Sequence, residues 1–142
     1  MNNIKYIPYG TQDINKDDIE AVTSVLKSDF LTQGPEIEKF EEEVALKVSA
    51  KYSLACNSAT SALHIACMAL DLSGGDIVWT SPNTFVASAN CALYCGAQVN
   101  FVDIDPVTFN LCTKKLEKKL IHAERDGSLP KVIILVNLTG MP

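Results

Sequence analysis

Short apolar runs alternate with helical patterns along most of this chain, and this alternation restricts the fold more than any other feature. The strand-like runs cover 52–56, 76–80, 98–102 and 131–136, and a helical pattern follows each of the first three. Such alternation predicts an α/β fold in which a parallel sheet has helices on both faces. The run Val-Ile-Ile-Leu-Val at 132–136 is typical of a strand buried on both faces.

Two helical patterns precede the first strand run. Asn15 is placed to cap a helix over 16–28, and Pro35 begins a second helix where its missing N–H costs nothing. Their apolar stripes are predicted to face inward: Ile19, Val22, Val25 and Leu26 in the first, and Ile37, Phe40, Val44 and Val48 in the second. Between the helices, Phe30 and Leu31 lie in a Gly-Pro loop, where they either plug an edge of the core or line a site. Later helices are predicted over 84–95 and, capped by Thr113, to about 125.

Composition narrows the classes of protein. The 142 residues suffice for about one domain, and a net charge of -5 without a basic stripe argues against a nucleic-acid partner. No apolar run reaches the roughly 18 residues that span a membrane, and the first residues lack a signal-peptide core. We therefore expect a cytoplasmic protein with no membrane partner. The five cysteines form no C-x-x-C pair, which indicates reduced core thiols rather than a metal site.

The polar turn Asn-Ser-Ala-Thr-Ser at 57–61 joins the first strand run to a helical pattern that carries Leu63, Ala66, Cys67 and Leu70. A strand, a small turn and a helix start direct free backbone N–H groups and the positive end of the helix dipole toward one point. That arrangement favours an anion, and phosphate above others. The alternative is that Asn57 or Ser58 simply caps the helix.

A second polar turn, Asn83-Thr84, ends the next strand run and precedes Phe85. Because the carboxyl ends of parallel strands meet at one edge of a sheet, both turns belong at that edge. A flat cofactor with a phosphate tail would fit an anion site beside an aromatic ring; otherwise Phe85 belongs to the core. The chain lacks G-x-G-x-x-G, P-loop and G-x-S-x-G patterns, which argues against a dinucleotide fold, a P-loop enzyme and a serine hydrolase. His64 and His122 are interpreted as core or surface residues.

Four segments together resemble the DegT-type sugar aminotransferases, which are pyridoxal-phosphate enzymes. The segments are Leu31 to Pro35, Asn57 to Leu63, Gly75 to Val78 and Pro82 to Asn90. The resemblance covers essentially the whole chain and implies the large domain of the aspartate aminotransferase fold (fold type I), with a three-layer parallel sheet. It also implies that residues 1–142 are the N-terminal part of that domain, without its C-terminal part and the small domain.

The resemblance implies a set of site residues. Ser58, Ala59 and Thr60 would hold the phosphate of pyridoxal 5'-phosphate, and Phe85 would stack on its ring. Tyr9 and the stretch Asp29, Phe30, Leu31 and Thr32 would contact a nucleotide sugar; no metal is implied. Asp103 and Asp105 match a structural turn, and Asn137 stands where the family usually has His.

The resemblance is greatest to a branch of the family that aminates the 4-keto group of a UDP-linked deoxy sugar in pseudaminic acid biosynthesis. Partners implied for the complete enzyme are a UDP-sugar, an amino-acid donor such as glutamate, and a second copy in a homodimer. The family's lysine, which binds the cofactor covalently, lies in an S-F-H-x-x-K context that this chain lacks. No catalytic residue is therefore assigned here, and Lys114, Lys115, Lys118 and Lys119 are interpreted as solvated.

Two alternatives remain open. The chain is a non-catalytic remnant that binds phosphate or nucleotide sugar weakly, or it comes from the sugar dehydratase branch, where His replaces the lysine. In the family sheet, later strands separate the strand matching 52–56 from the other three. We therefore expect 76–80, 98–102 and 131–136 to pair, while 52–56 lacks a neighbour and hydrophobic sheet edges promote aggregation.

Overall fold

The computed structural model describes residues 7, 8 and 10–141, which divide into two compact units with the boundary between Ala55 and Cys56. The first unit contains helices α1 (Lys16–Leu26) and α2 (Pro35–Lys47). The second contains α3 (Ala59–Ala69), β1 (Ile77–Thr80), α4 (Ala87–Tyr94), β2 (Gln98–Phe101), α5 (Thr113–Asp126), β3 (Val132–Ile134) and a short 3-10 turn at Leu138–Gly140. No helix among the described residues is long and apolar enough to cross a membrane.

The helices of the first unit begin where the sequence predicts. The Asn15 side chain accepts hydrogen bonds from the backbone N–H groups of Asp17 and Asp18 at 2.7 and 3.3 Å. Asp18 accepts in return from the N–H of Asn15, which completes a capping box. Pro35 is the first residue of α2. These contacts are local, so the sequence was sufficient to predict them.

The apolar stripes of α1 and α2 are not buried, contrary to the prediction. Neither helix contains a buried residue, and Ile19, Val22, Ile37 and Phe40 are all exposed. A periodic stripe shows which face of a helix can be buried, but burial requires a second surface. Within this unit no described element supplies one.

The second unit is built on a three-stranded parallel sheet in the order β2-β1-β3. Ile77 pairs with Gln98 and Thr80 with Phe101 on one side of β1, while Val78 pairs with Val132 on the other. The Thr80 hydroxyl donates to the carbonyl of Ile134 at 3.0 Å, which adds a side-chain link between β1 and β3. The predicted pairing of the three later runs is therefore confirmed.

Residues 52–56 form no strand, and Tyr52 and Leu54 are exposed. The interpretation of this run as a buried strand is wrong for the described chain, whereas the expectation that it lacks a neighbour is confirmed. β3 also departs from its prediction: its three residues are only half-buried, and Leu135 beyond it is 66% exposed. β3 is an edge strand, with only β1 beside it, so its outer edge has no neighbouring strand.

Helices cover both faces of the sheet and make three layers. On one face Cys67 of α3 and Cys91 and Ala92 of α4 pack with Val78. On the other face Ala123 of α5 packs with Trp79 and Val102. The alternation of Val78 and Trp79 along β1 therefore sends one side chain into each layer.

One prediction about a helix cap and one about the cysteines need correction. Thr113 is the first residue of α5 rather than its cap, and Cys112 at the cap position makes no side-chain capping bond. All five cysteines are free thiols, but only Cys67 and Cys91 are buried, and Cys56 is exposed. Burial and contact with the Cys91 thiol raise the pKa of Cys67 to about 11, so this thiol stays protonated.

Candidate functional site

The first turn of α3 has the geometry of an anion site. Ser58 is its cap residue, and the Ser58 hydroxyl accepts a hydrogen bond from the backbone N–H of Ser61 at 3.2 Å. The Ser61 hydroxyl donates to Asn57 Oδ1 at 2.7 Å and lies 3.1 Å from the Ser58 hydroxyl. The turn is thus held by its own side chains before any ligand arrives. We call Asn57 to Ser61 the anion cradle.

Two donors of the anion cradle are left for a ligand. A helix cannot satisfy the N–H groups of its first residues, so those of Ala59 and Thr60, the first two residues of α3, have no partner within the helix. Ser58 and Ala59 are exposed and Thr60 is half-buried, which leaves the turn open to solvent. No acidic residue lies in the first turn of α3 to repel an anion. Capping by Ser58 would therefore not prevent anion binding, because the two would use different N–H groups.

Phe85 lies between the end of β1 and the start of α4, and its ring is 74% exposed. Its carbonyl accepts from the N–H of Ser88 at 3.0 Å, and the hydroxyls of Thr84 and Ser88 are 2.8 Å apart. These contacts fix the backbone on both sides of Phe85 and leave the ring free. The interpretation of Phe85 as a core residue is wrong, because the ring is exposed, and its contact with a flat ligand stays a prediction.

The helices that carry these two features pack against each other. Cys67 in α3 and Cys91 in α4 are buried in the same core cluster. Toward solvent, the rings of His64 and Tyr94 meet edge to face with centroids 5.3 Å apart. In the described chain no hydrogen bond joins Phe85 to the anion cradle. The position of the ring relative to the cradle therefore depends on how α3 and α4 pack.

The residues predicted to contact a sugar belong to the first unit. Asp29, Phe30, Leu31 and Thr32 lie in the connection between α1 and α2. The Ser28 hydroxyl donates to the carbonyl of Val25 at 2.8 Å and shapes the start of this loop. Phe30 and Leu31 are exposed, so they do not plug a core, and Leu31 borders a shallow cavity along α1. Tyr9 lies outside the described residues.

The acidic pair after β2 has a structural role, as predicted. Asp105 accepts from the N–H groups of Val107 and Thr108 at 2.9 and 3.1 Å, and these bonds lower the pKa of its carboxyl. Asp103 pairs with Lys115, which lowers the pKa of Asp103 and raises that of Lys115. Both carboxylates are thus committed to the turn and the start of α5.

Two lysines interpreted as solvated from the sequence form contacts with other elements, although Lys115 remains exposed. Lys115 pairs with Asp103, and Lys119 donates to Asn100 Oδ1 at 2.8 Å and to the carbonyl of Phe101 at 2.6 Å. The Lys119 ammonium also lies 4.6 Å from the centre of the Trp79 ring, and burial lowers its pKa. Helical periodicity could not reveal these contacts because their partners lie on β1, β2 and the loop after β2.

A residue that sequence reasoning missed is Asn110. Its amide accepts from the N–H of Leu138 at 2.9 Å and donates to the carbonyl of Met141 at 3.1 Å. It thereby holds the segment after β3, including Asn137, which borders a cavity of about 440 Å³. No sequence signal marks this role, since the contacts span about thirty residues.

Comparison with known proteins places this geometry in a family. The sequence profile of the DegT/DnrJ/EryC1/StrS aminotransferase family matches residues 12–142. The chain belongs to this family. The UDP-4-amino-4,6-dideoxy-N-acetyl-beta-L-altrosamine transaminase of Campylobacter jejuni is 43% identical over 120 residues, covering 84% of this chain and 31% of that protein. The chain spans about a third of the length of the curated relatives it matches.

Solved structures of aminotransferases show the same fold. PseC of Helicobacter pylori, an aminotransferase of pseudoaminic acid biosynthesis, superposes with a TM-score of 0.86 at 32% identity, covering 97% of this chain and 36% of that chain. A protein of Streptococcus pneumoniae designated a sugar aminotransferase, solved in its PLP form, gives 0.83 at 29% identity, covering 96% and 33%. The expected fold class, an incomplete parallel α/β domain of the PLP-dependent aminotransferases, is confirmed.

Proposed function

We propose that this chain supplies the phosphate-binding part of a pyridoxal 5'-phosphate-dependent sugar aminotransferase. The single observation that carries the proposal is the anion cradle, in which side chains of Asn57, Ser58 and Ser61 bond to one another and leave two N–H groups free. The exposed ring of Phe85 in the same unit is the second element of the proposed site. Family membership supports the choice of cofactor.

The residues present fit the cofactor's phosphate and ring. The N–H groups of Ala59 and Thr60 would bind phosphate oxygens together with the Thr60 hydroxyl, and Phe85 would cover one face of the ring. When bound, the cofactor supplies the electron sink that lets an amino group pass between an amino acid and a keto sugar. The chain's own contribution is to orient the cofactor and hold its charge.

The substrate proposal is the 4-keto group of a UDP-linked deoxy sugar, with glutamate as amino donor, in amino-sugar biosynthesis leading to pseudaminic acid. The names of the Campylobacter and Helicobacter relatives support it. Asp29, Phe30, Leu31 and Thr32, with Tyr9, are proposed sugar contacts. The complete enzyme is proposed to be a cytoplasmic homodimer, and the chain alone is proposed to bind cofactor without turnover.

Cofactor binding is tested by titrating the chain with pyridoxal 5'-phosphate, pyridoxal and inorganic phosphate. We expect the phosphorylated cofactor to bind more tightly than pyridoxal, because only it reaches the cradle. Phe85→Ala should weaken cofactor binding while leaving inorganic phosphate unaffected. Phe101→Ala, at another exposed ring of the same unit, on β2, is the control and should change neither. Equal affinity for the cofactor and for pyridoxal would refute the phosphate site.

Turnover is tested separately, with a UDP-linked 4-keto sugar, glutamate and mass spectrometric detection of the amino sugar. The chain alone should give no product, whereas a longer polypeptide that carries this chain should give the amine. Amine formation by the chain alone would contradict the proposed division of labour. Loss of water from the sugar by the longer polypeptide, without amination, would favour the dehydratase branch.

A further inference from the structure

We propose that His64 and Tyr94 are positioning residues, which fix the anion cradle relative to Phe85 and so select ligands that carry both a phosphate and a flat ring. The proposal rests on the proposed function, and it concerns two residues that lie outside the cradle and the ring surface. Their contact is the edge-to-face ring pair between α3 and α4, with centroids 5.3 Å apart and an interplanar angle of 63°.

The contact between the two helices has a buried and an exposed part. In the core the small side chains of Cys67, Cys91 and Ala92 meet, and all three are at most 2% exposed. Small side chains let two helices approach closely, and this core contact lies against the sheet, where Val78 joins the same cluster. The His64–Tyr94 pair is a further contact, three residues from Cys67 along α3 and three residues from Cys91 along α4. Two separated contacts fix the angle between the helices more firmly than the core contact alone.

The angle between α3 and α4 matters because each helix carries one element of the proposed site. The cradle is the first turn of α3, and Phe85 stands two residues before α4. Thr60 and His64 are four residues apart, so they share one face of α3. A rotation of one helix against the other would change the separation of the phosphate donors and the aromatic ring. It would leave the donors themselves unchanged.

The affinity of a ligand that contacts only the cradle does not depend on this angle. The affinity of a ligand that contacts both the cradle and Phe85 does. Inorganic phosphate and pyridoxal 5'-phosphate are therefore the two probes. Tyr94→Ala removes the ring contact, and Tyr94→Phe keeps the ring but loses the hydroxyl, so the second variant is the matched control. His64→Ala removes the same contact from the other helix.

We expect Tyr94→Ala and His64→Ala each to weaken binding of pyridoxal 5'-phosphate by roughly threefold to tenfold, the range of an aromatic pair. Inorganic phosphate affinity should stay within about twofold of the native chain, the level of a change that leaves the contacts intact. Tyr94→Phe should behave as the native chain with both probes. The double variant should be no worse than either single one, because both remove one shared contact.

Several results would overturn the proposal. If the alanine variants lost affinity for both probes equally, the two residues would have a general structural role. If cofactor binding were unchanged in both alanine variants, they would have no role at all. A loss in Tyr94→Phe equal to that in Tyr94→Ala would assign the effect to the hydroxyl. Failure of the native chain to bind the cofactor would refute the proposed function as well, and it is seen before any variant is made.

Discussion

Ser58 has a capping role and a proposed binding role, which substitution can separate. Its hydroxyl caps α3, and its position at the cradle places it beside the proposed phosphate. We predict that Ser58→Ala lowers the free energy of unfolding by about 0.5–2 kcal/mol, the usual cost of a lost cap. Ser58→Asp should keep the stability, since aspartate is also a good cap, yet weaken phosphate binding by charge repulsion. Urea unfolding and phosphate titration of both variants check this; equal phosphate binding by Ser58→Asp and the native chain would contradict it.

Asp76 joins the segment after α3 to the start of β3, and it makes the stability of the second unit depend on pH. Its carboxylate accepts from Lys131 at 3.0 Å and from the N–H of Ser73 at 2.8 Å, and these bonds lower its pKa from the ordinary 3.8. Lys131 also donates to the carbonyl of Asp71 at 2.6 Å. A lowered pKa stabilises the fold above the unfolded value, and this contribution disappears as pH falls through the folded value.

The native chain should therefore lose stability below about pH 4 more steeply than Asp76→Asn, which has no carboxyl to protonate. Unfolding free energies from pH 2 to pH 7 test the difference. Asp126→Asn, at an exposed position on the C-terminal turn of α5, is the control and should follow the native curve. Parallel curves for the native chain and Asp76→Asn would mean that Lys131 contributes nothing through this carboxylate.

The sequence predicted those site residues whose contacts are local. The anion cradle was predictable because Asn57, Ser58 and Ser61 bond within one helical turn. Lys119 and Asn110 were not, because their hydrogen-bond partners lie 18 to 31 residues away. Those contacts depend on the packing of α5 and of the segment after β3. Apolar periodicity correctly predicted which face of each helix is apolar. It did not predict whether another element covers that face, as α1 and α2 show.

At the scale of elements, Gly34 sets how closely α2 follows the loop at Phe30. A Cβ at this position would lie 2.9 Å from Phe30 Cβ and 3.2 Å from the Phe30 carbonyl oxygen. We predict that Gly34→Ala displaces this loop and destabilises the first unit by roughly 1–3 kcal/mol, as for other overpacked sites. Gly10→Ala is the control, because a Cβ there meets nothing within 4 Å. Circular dichroism during urea unfolding measures both; indistinguishable curves would refute the steric account.

Lys119 connects α5 to the sheet through its side-chain contacts. Its ammonium lies over the Trp79 ring and bonds to Asn100 and the carbonyl of Phe101 on β2. Lys119→Met keeps the apolar stem and removes the charge, so it should destabilise the second unit by about 0.5–2 kcal/mol, the range of a cation–π contact. Lys118→Met, at the exposed neighbouring position, should have no effect. An equal loss in the two variants would show that helix charge, rather than the contact with β2, is responsible.

At the scale of the whole molecule, the exposed edge of the sheet should govern solution behaviour. β3 pairs only with β1, and Leu135 beside it is exposed. Unpaired apolar edges template association with other chains. We predict concentration-dependent self-association, reduced by Leu135→Glu and unaffected by Leu93→Glu on the exposed side of α4. Sedimentation velocity over a range of concentrations decides; a native chain that stays monomeric and melts cooperatively would contradict the prediction.

The position of Trp79 determines what fluorescence can report about this molecule. It is the chain's single tryptophan, it is 2% exposed, and it lies in β1 of the second unit. Its emission therefore follows the sheet and α5 alone. Since α1 and α2 carry no tryptophan, they could unfold at a lower temperature without changing that signal. A single sharp fluorescence transition would thus describe only the part of the chain around the sheet, and helical circular dichroism is needed to see the rest.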